Sequence, residues 1–162
     1  MSTHDAMSTH DAMLRRAISL AAESRTVGDH PFGALLSAGP NVIAEAHNRV
    51  NSNQDITAHA ETMLVRILEE RGELALLADG IVYASCEPCP MCMGALFWAG
   101  ARHVVFGMSA AKLRQVSTAP GTPEKGFTIT AAEIGAQATP QLRVDGPLME
   151  LEATESHLGY WF

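Results

Sequence analysis

The chain has 162 residues, 47% apolar and 18% charged, with a net charge of −7. That length suits one domain able to bury about two thirds of its unfolded surface, and no apolar run approaches the ~20 residues a bilayer-spanning helix needs. The 11 Lys and Arg residues are scattered, and residues 145–162 hold Asp145, Glu150, Glu152 and Glu155 without one, so neither nucleic acid nor a membrane surface is an expected partner.

Met1-Ser2-Thr3-His4-Asp5-Ala6 repeats at once as Met7-Ser8-Thr9-His10-Asp11-Ala12. Six residues are too short a period for a structural repeat, so 1–12 reads as a disordered lead-in to one domain over 13–162. No apolar signal segment is expected. Three cysteines crowded between positions 86 and 92 fit reduced thiols in a cytoplasmic protein better than a disulfide framework.

Leu14, Ile18, Ala21 and Ala22 recur at helical spacing up to Arg25, and Gly28-Asp29-His30-Pro31 breaks the run. Phe32 to Ser37 and Val42 to Asn48, joined by Ala38-Gly39-Pro40-Asn41, read as a β-hairpin. Thr57 is the candidate cap of a second helix, whose stripe is Ala60, Met63, Leu64, Ile67 and Leu68. Ile81 to Ser85 is a strand, Pro90 to Ala99 a third helix closed by Gly100, and His103 to Phe106 a further strand. This order predicts an α/β fold with parallel crossovers. Residues 108–139 lack a steady period apart from a short helical turn at Ala110 to Gln115, and read as a long functional loop. Leu142 to Val144 is the last expected strand and Leu148 to His157 the last helix. The terminal Gly159-Tyr160-Trp161-Phe162 is too aromatic to be left wholly in water.

The chemistry lies in His59-Ala60-Glu61 and Pro88-Cys89-Pro90-Met91-Cys92. His59, Cys89 and Cys92 offer one imidazole and two thiolates to a Zn²⁺ ion, and three protein ligands leave the fourth tetrahedral position for a water that the metal acidifies. Glu61 is the candidate proton carrier, although a first-turn carboxylate also suits a helix dipole without any catalytic duty. Residues two apart on an ideal helix point in nearly opposite directions, so His59 and Glu61 share a site only if substrate meets the helix end. A lone Cys-x-x-Cys also fits a redox pair, but that leaves His59 and Glu61 unexplained. Cys86 is assigned to packing. Asn48 has a plain turn reading, Phe32 and Trp98 have plain core readings beside a role as an apolar wall for a flat ring, and His30, His47, His103 and His157 lack partners at ligand spacing.

Pro31-Phe32-Gly33-Ala34, Thr57 to Glu61 and Ser85 to Ala95 make the chain resemble the cytidine and deoxycytidylate deaminase superfamily over about residues 13–108, within the branch of guanine, cytosine and transfer-RNA adenosine deaminases. His-x-Glu followed by Pro-Cys-x-x-Cys is the signature of zinc deaminases. The resemblance implies a three-layer α/β/α sandwich with a mixed five-stranded sheet, a homodimer, substrate contacts from Asn48 and the Ala60 amide, and a leaving amine received near Ser85. Guanine deaminases carry an aspartate in a Gly-Phe-Asp segment after the fourth strand. Residues 109–125 have no Asp, and Glu124 is their only acid. The expected function is therefore zinc-dependent removal of an exocyclic amine from a free base, namely cytosine, an azacytosine or aminotriazine analogue, or guanine. Asn48, Phe32, Trp98 and the terminal Trp161-Phe162 would shape the pocket. Adenosine in transfer RNA and a non-enzymatic zinc or redox module are the alternatives.

Overall fold

The computed structural model describes the backbone of residues 3–162, and side chains from His10 onward. Met1 and Ser2 lie outside the described residues. Helix α1 runs Thr3–Thr26, strands β1 Gly33–Ala38 and β2 Asn41–His47 form the expected hairpin, and a short α2, Val50–Asn53, precedes α3, Ala60–Glu70. Beyond a 3-10 turn at Leu74–Leu77 come β3 Ile81–Cys86, α4 Pro90–Ala99, β4 His103–Met108, α5 Ala110–Ser117, α6 Ala131–Gln137, β5 Arg143–Asp145 and α7 Glu150–Glu155.

The sheet order is β2-β1-β3-β4-β5, with β1 antiparallel to both neighbours and β3, β4 and β5 mutually parallel. Its strands alternate between two apolar layers, as a period of two requires. Ala34, Leu36, Val82 and Val104 point into a core with Leu64, Leu68, Met93 and Leu96 of α3 and α4. Leu35, Tyr83 and Val105 point the other way, onto Leu14, Ala17 and Leu20 of α1. Helices therefore cover both faces, which explains why these strands read as near-continuous apolar runs. Gly33 is required where α1 crosses β1, since a Cβ there would lie 2.3 Å from the Ala17 carbonyl oxygen. No described helix is long and apolar enough to cross a membrane.

Three expectations need correction. The backbone is helical from Thr3, and Nδ1 of His10 lies 2.6 Å from the Tyr83 hydroxyl. The long loop expected over 108–139 contains α5 and α6 and shrinks to residues 118–130. Short helices of Ala, Thr and Gly carry little periodic signal, but the Thr130–Glu133 capping box that starts α6 was there to be read. Thr57 does not cap α3. Its hydroxyl donates to Asp55 at 2.6 Å, and the N-cap is His59, whose side chain makes no capping bond.

Candidate metal centre and substrate wall

Two helices aim their N-termini at one point. His59 is the N-cap of α3 and Cys89 the N-cap of α4, with matching extended backbones (φ −70°, ψ 159° and φ −69°, ψ 165°). An N-cap residue is not helical, so its side chain is free of the helix wheel. That removes the difficulty of placing His59 and Glu61, two residues apart, on one site. Pro90 at the first position of α4 needs no N–H partner, and Gly100 ends the helix at φ 110°. Both helix dipoles present their positive ends where thiolates and a developing oxyanion would sit.

Cys89 Sγ lies 3.7 Å from His59 Nδ1 and 3.6 Å from Cys92 Sγ, and Cys92 Sγ lies 3.6 Å from His59 Nδ1. A tetrahedral zinc with sulfur at ~2.3 Å and nitrogen at ~2.0 Å holds such donors roughly 3.5–3.8 Å apart, so the triangle fits that ion without rearrangement. It is the one cluster of His, Cys, Asp and Glu among the described residues with this spacing. Cys92 is fully buried. Its thiol hydrogen-bonds the sulfur of Cys89 and draws that residue's pKa down to about 4, with the His59 imidazole adding to the effect. The same bond, together with burial, pushes Cys92 up. The pair thus shares a proton that a bound cation would displace. Cys86 is 2% exposed against Met108 and Ala153, and burial raises its thiol, so it packs as expected.

Glu61 is 6% exposed, and burial raises its carboxyl above the ordinary value. A buried carboxylate with raised basicity beside three metal donors is suited to taking and returning a proton. Asn48 is 1% exposed. Its Oδ1 accepts the Val50 N–H at 3.0 Å, which leaves Nδ2 as the donor end of the amide. Ala60, fully buried, is the first residue of α3, and its N–H has no acceptor within the helix. The Ser85 hydroxyl accepts the Gly33 N–H at 3.0 Å, and a hydroxyl so engaged keeps its own O–H and a second lone pair. Glu87, between Cys86 and the ligand loop, accepts the N–H of Ala110 and of Ala131 at 2.8 Å each, joining the N-termini of α5 and α6.

Trp98 does not join this site. It is 84% exposed two turns along α4, with its ring against Phe97. Phe32 lies instead beside Trp161, ring centroids 6.2 Å apart, which makes the pair the candidate apolar wall, while Phe162 is 69% exposed. His30 and His157, read as ordinary from spacing, belong to this wall: His30 stacks on Trp161 at 5.4 Å, and His157 meets Phe32 at 5.1 Å. Burial and the neighbouring His59 depress the basicity of His30. Of these residues Phe32, in Pro31-Phe32-Gly33-Ala34, and the aromatic run at the C-terminus carried a sequence signal, and His30 and His157 did not.

A family profile described as the cytidine and deoxycytidylate deaminase zinc-binding region matches residues 7–108. A Schizosaccharomyces pombe protein named "Probable cytosine deaminase" is 38% identical over 152 residues, 93% of this chain and 91% of that protein. Guanine deaminase of Bacillus subtilis is 42% identical over 98 residues, 60% of this chain and 63% of that protein. A structure solved in a study of A-to-I editing by tRNA:A34 deaminases superposes with a TM-score of 0.70 at 27% identity, covering 90% of this chain and 99% of that one.

Proposed function

The chain belongs to the cytidine and deoxycytidylate deaminase zinc-binding family and is a hydrolytic deaminase; from that premise we propose that its substrate is a free heterocyclic base of the cytosine type, from which it releases the exocyclic amine as ammonia. The observation that carries this reading is where the matches extend. The cytosine-type relative aligns over 93% of the chain, past the metal motifs and into the segments that shape the pocket, whereas the guanine deaminase match spans 60%. A Gly-Phe pair is present as Gly126-Phe127, but Thr128 follows where guanine deaminases place aspartate.

His59, Cys89 and Cys92 would hold the zinc, which when bound supplies an acidified water and a Lewis-acidic centre beside the amine-bearing carbon. Glu61 would hold and move the protons: of the two on the attacking water, one goes to the ring nitrogen and the other to the departing amine, as the C–O bond forms and the C–N bond breaks to release ammonia. Asn48 Nδ2 and the Ala60 amide orient the base, Phe32 and Trp161 exclude water from its faces, and the Ser85 region receives the amine. A homodimer, a cytoplasmic location and the absence of nucleic acid from the substrate are parts of the same proposal, supported by the free cysteines and the net charge of −7.

Transfer-RNA adenosine is the second reading, favoured by the structural match to a tRNA:A34 deaminase. Ammonia release from guanine, cytosine, 5-azacytosine, ammeline, adenine, guanosine and cytidine, beside a deaminase-substrate stem-loop, decides between them. Turnover of cytosine or its aza-analogue without RNA editing is expected. Editing of the stem-loop alone overturns the free-base proposal, and stoichiometric zinc with no deamination of any compound would leave a binding module.

A further inference from the structure

Asp29 is a buried carboxylate that the chemistry so far leaves without a task. It is 0% exposed, and it belongs to none of the ion pairs among the described residues. Its charge is met by hydrogen-bond donors alone. Oδ1 accepts the N–H of Asn51 and of Ser52 at 2.9 Å each, and Oδ2 accepts the Ser52 hydroxyl. Burial by itself raises the carboxyl, but the bonds from Ser52 and Asn51 outweigh it and hold the pKa below its ordinary value.

Those bonds end on α2, Val50–Asn53, whose N-cap Arg49 makes no side-chain capping bond. The first three N–H groups of the turn are divided between two other side chains. Asn48 Oδ1 takes that of Val50, and Asp29 takes those of Asn51 and Ser52. The turn buries none of its own residues, so a buried charge spent on it stabilises little by packing. What it fixes is the pair of residues before it. The Asn48 N–H donates to the Phe32 carbonyl at 3.0 Å, and the Arg49 N–H to that of Ala58, next to His59, at 2.9 Å. The Asn48 backbone is thereby held between the Phe32 loop and the ligand loop, and the rotation of its amide is left to the Val50 N–H. An N–H can only donate, so it selects Oδ1 and turns Nδ2 away. Nδ2 makes no hydrogen bond among the described residues, yet it is not one of the side-chain atoms both unpartnered and sealed off. The 1% of Asn48 that stays accessible therefore includes this donor.

We propose that Asp29 is a positioning residue: by capping α2 it holds the Val50 N–H on Asn48 Oδ1, and so keeps Asn48 Nδ2 aimed as a donor to the base. The proposal rests on the deaminase reading of the same site. Without the carboxylate, the Asn51 and Ser52 N–H groups lose their acceptor. Asn48 Oδ1, already at that helix end, is drawn to them, and its amide turns.

The test uses the full chain. Asp29→Ala is expected to raise KM for cytosine and 5-azacytosine about tenfold or more, with kcat within about threefold and zinc content unchanged. Asp29→Asn keeps an oxygen for the two N–H groups and should limit the rise to about threefold. A double-mutant cycle separates positioning from general destabilisation. In an Asn48→Ala background, either Asp29 variant should change KM by less than about twofold. The Asn48 side-chain amide signals, identified in ¹H–¹⁵N NMR spectra by their loss in Asn48→Ala, should move in Asp29→Ala toward the position of a solvated carboxamide. Unchanged KM in folded Asp29→Ala, or a KM effect that persists without Asn48, overturns the proposal. If Asp29→Ala does not fold, the smaller rise in Asp29→Asn and its disappearance in Asn48→Ala carry the test, and no rise overturns it. If the parent protein turns over no base, the deaminase reading fails separately and the spectra decide alone: Asn48 signals unmoved by both Asp29 variants would sink the proposal.

Discussion

The metal triangle and the aromatic cluster around Trp161 are built by different means. His59, Cys89 and Cys92 stand on the first turns of two helices whose apolar faces pack into the main core, and Phe32, Trp161 and His157 come from a loop and the chain terminus. The ligands are fixed by backbone geometry, within three donor separations of 3.6–3.7 Å. The wall is fixed by side chains reaching across it, chiefly Arg25 to the tail carbonyls and His30 to Tyr160. Chemistry that must not vary rests on rigid elements, while selectivity rests on segments that can be altered at low cost to stability.

If the contrast is right, Cys92→Ser should give the largest effect, with metal content falling far below one per chain and turnover lost, because the buried donor at the helix face has no substitute. A variant that kept stoichiometric zinc would break the assignment. Glu61→Gln should keep its zinc and lose activity by about 10²–10⁴-fold, the usual contribution of a positioned proton carrier; near-normal turnover there would refute the role. Gly33→Ala strikes the frame that both regions share. Its Cβ would press on the Ala17 carbonyl at 2.3 Å, and a loss of about 1–3 kcal/mol, the range for overpacking, should appear in denaturant unfolding without a change in substrate preference.

The tail should respond to mild acid. His157 has an ordinary pKa of 6.5 when undocked and about 4 when docked, so the free tail binds more protons than the docked one between those values. Docking is then fully favourable above about pH 6.5, weakens as the pH falls and levels off near 4. Trp161 emission in a Trp98→Phe protein, which keeps it as the sole indole, should shift over that window, and a flat profile would show that His157 is not buried in solution. Trp98→Phe itself should change kcat/KM less than twofold, the smallest effect of the series.

These differences also explain what the sequence could reveal. His-x-Glu and Pro-Cys-x-x-Cys each fall on one turn of chain, so ligand spacing is local, and Pro90 and Gly100 mark the ends of α4 to the residue. The mixed sheet and its covering helices followed from the hairpin signal and the apolar runs. The wall was legible only as the candidates Phe32 and Trp161; its histidines were not, because His30 meets Tyr160 across 130 positions and no periodicity couples them. Trp98 misled for a related reason. An aromatic near a motif looks like a pocket wall, but its place on the helix turns it outward, where it is 84% exposed.

Glu87 has a wider consequence. One carboxylate, one residue from a cysteine and two from a metal ligand, closes the span from Ala110 to Ala131 into a loop by holding both its ends. Lys125, Gly126, Phe127 and Ile129 of the span line a cavity with Pro88, Cys89 and Pro90, so these residues sit beside a metal ligand much as an interchangeable cassette sits in its housing. Their length and composition can drift while the anchor points stay put, giving the scaffold a place to acquire new preferences without rebuilding its metal centre.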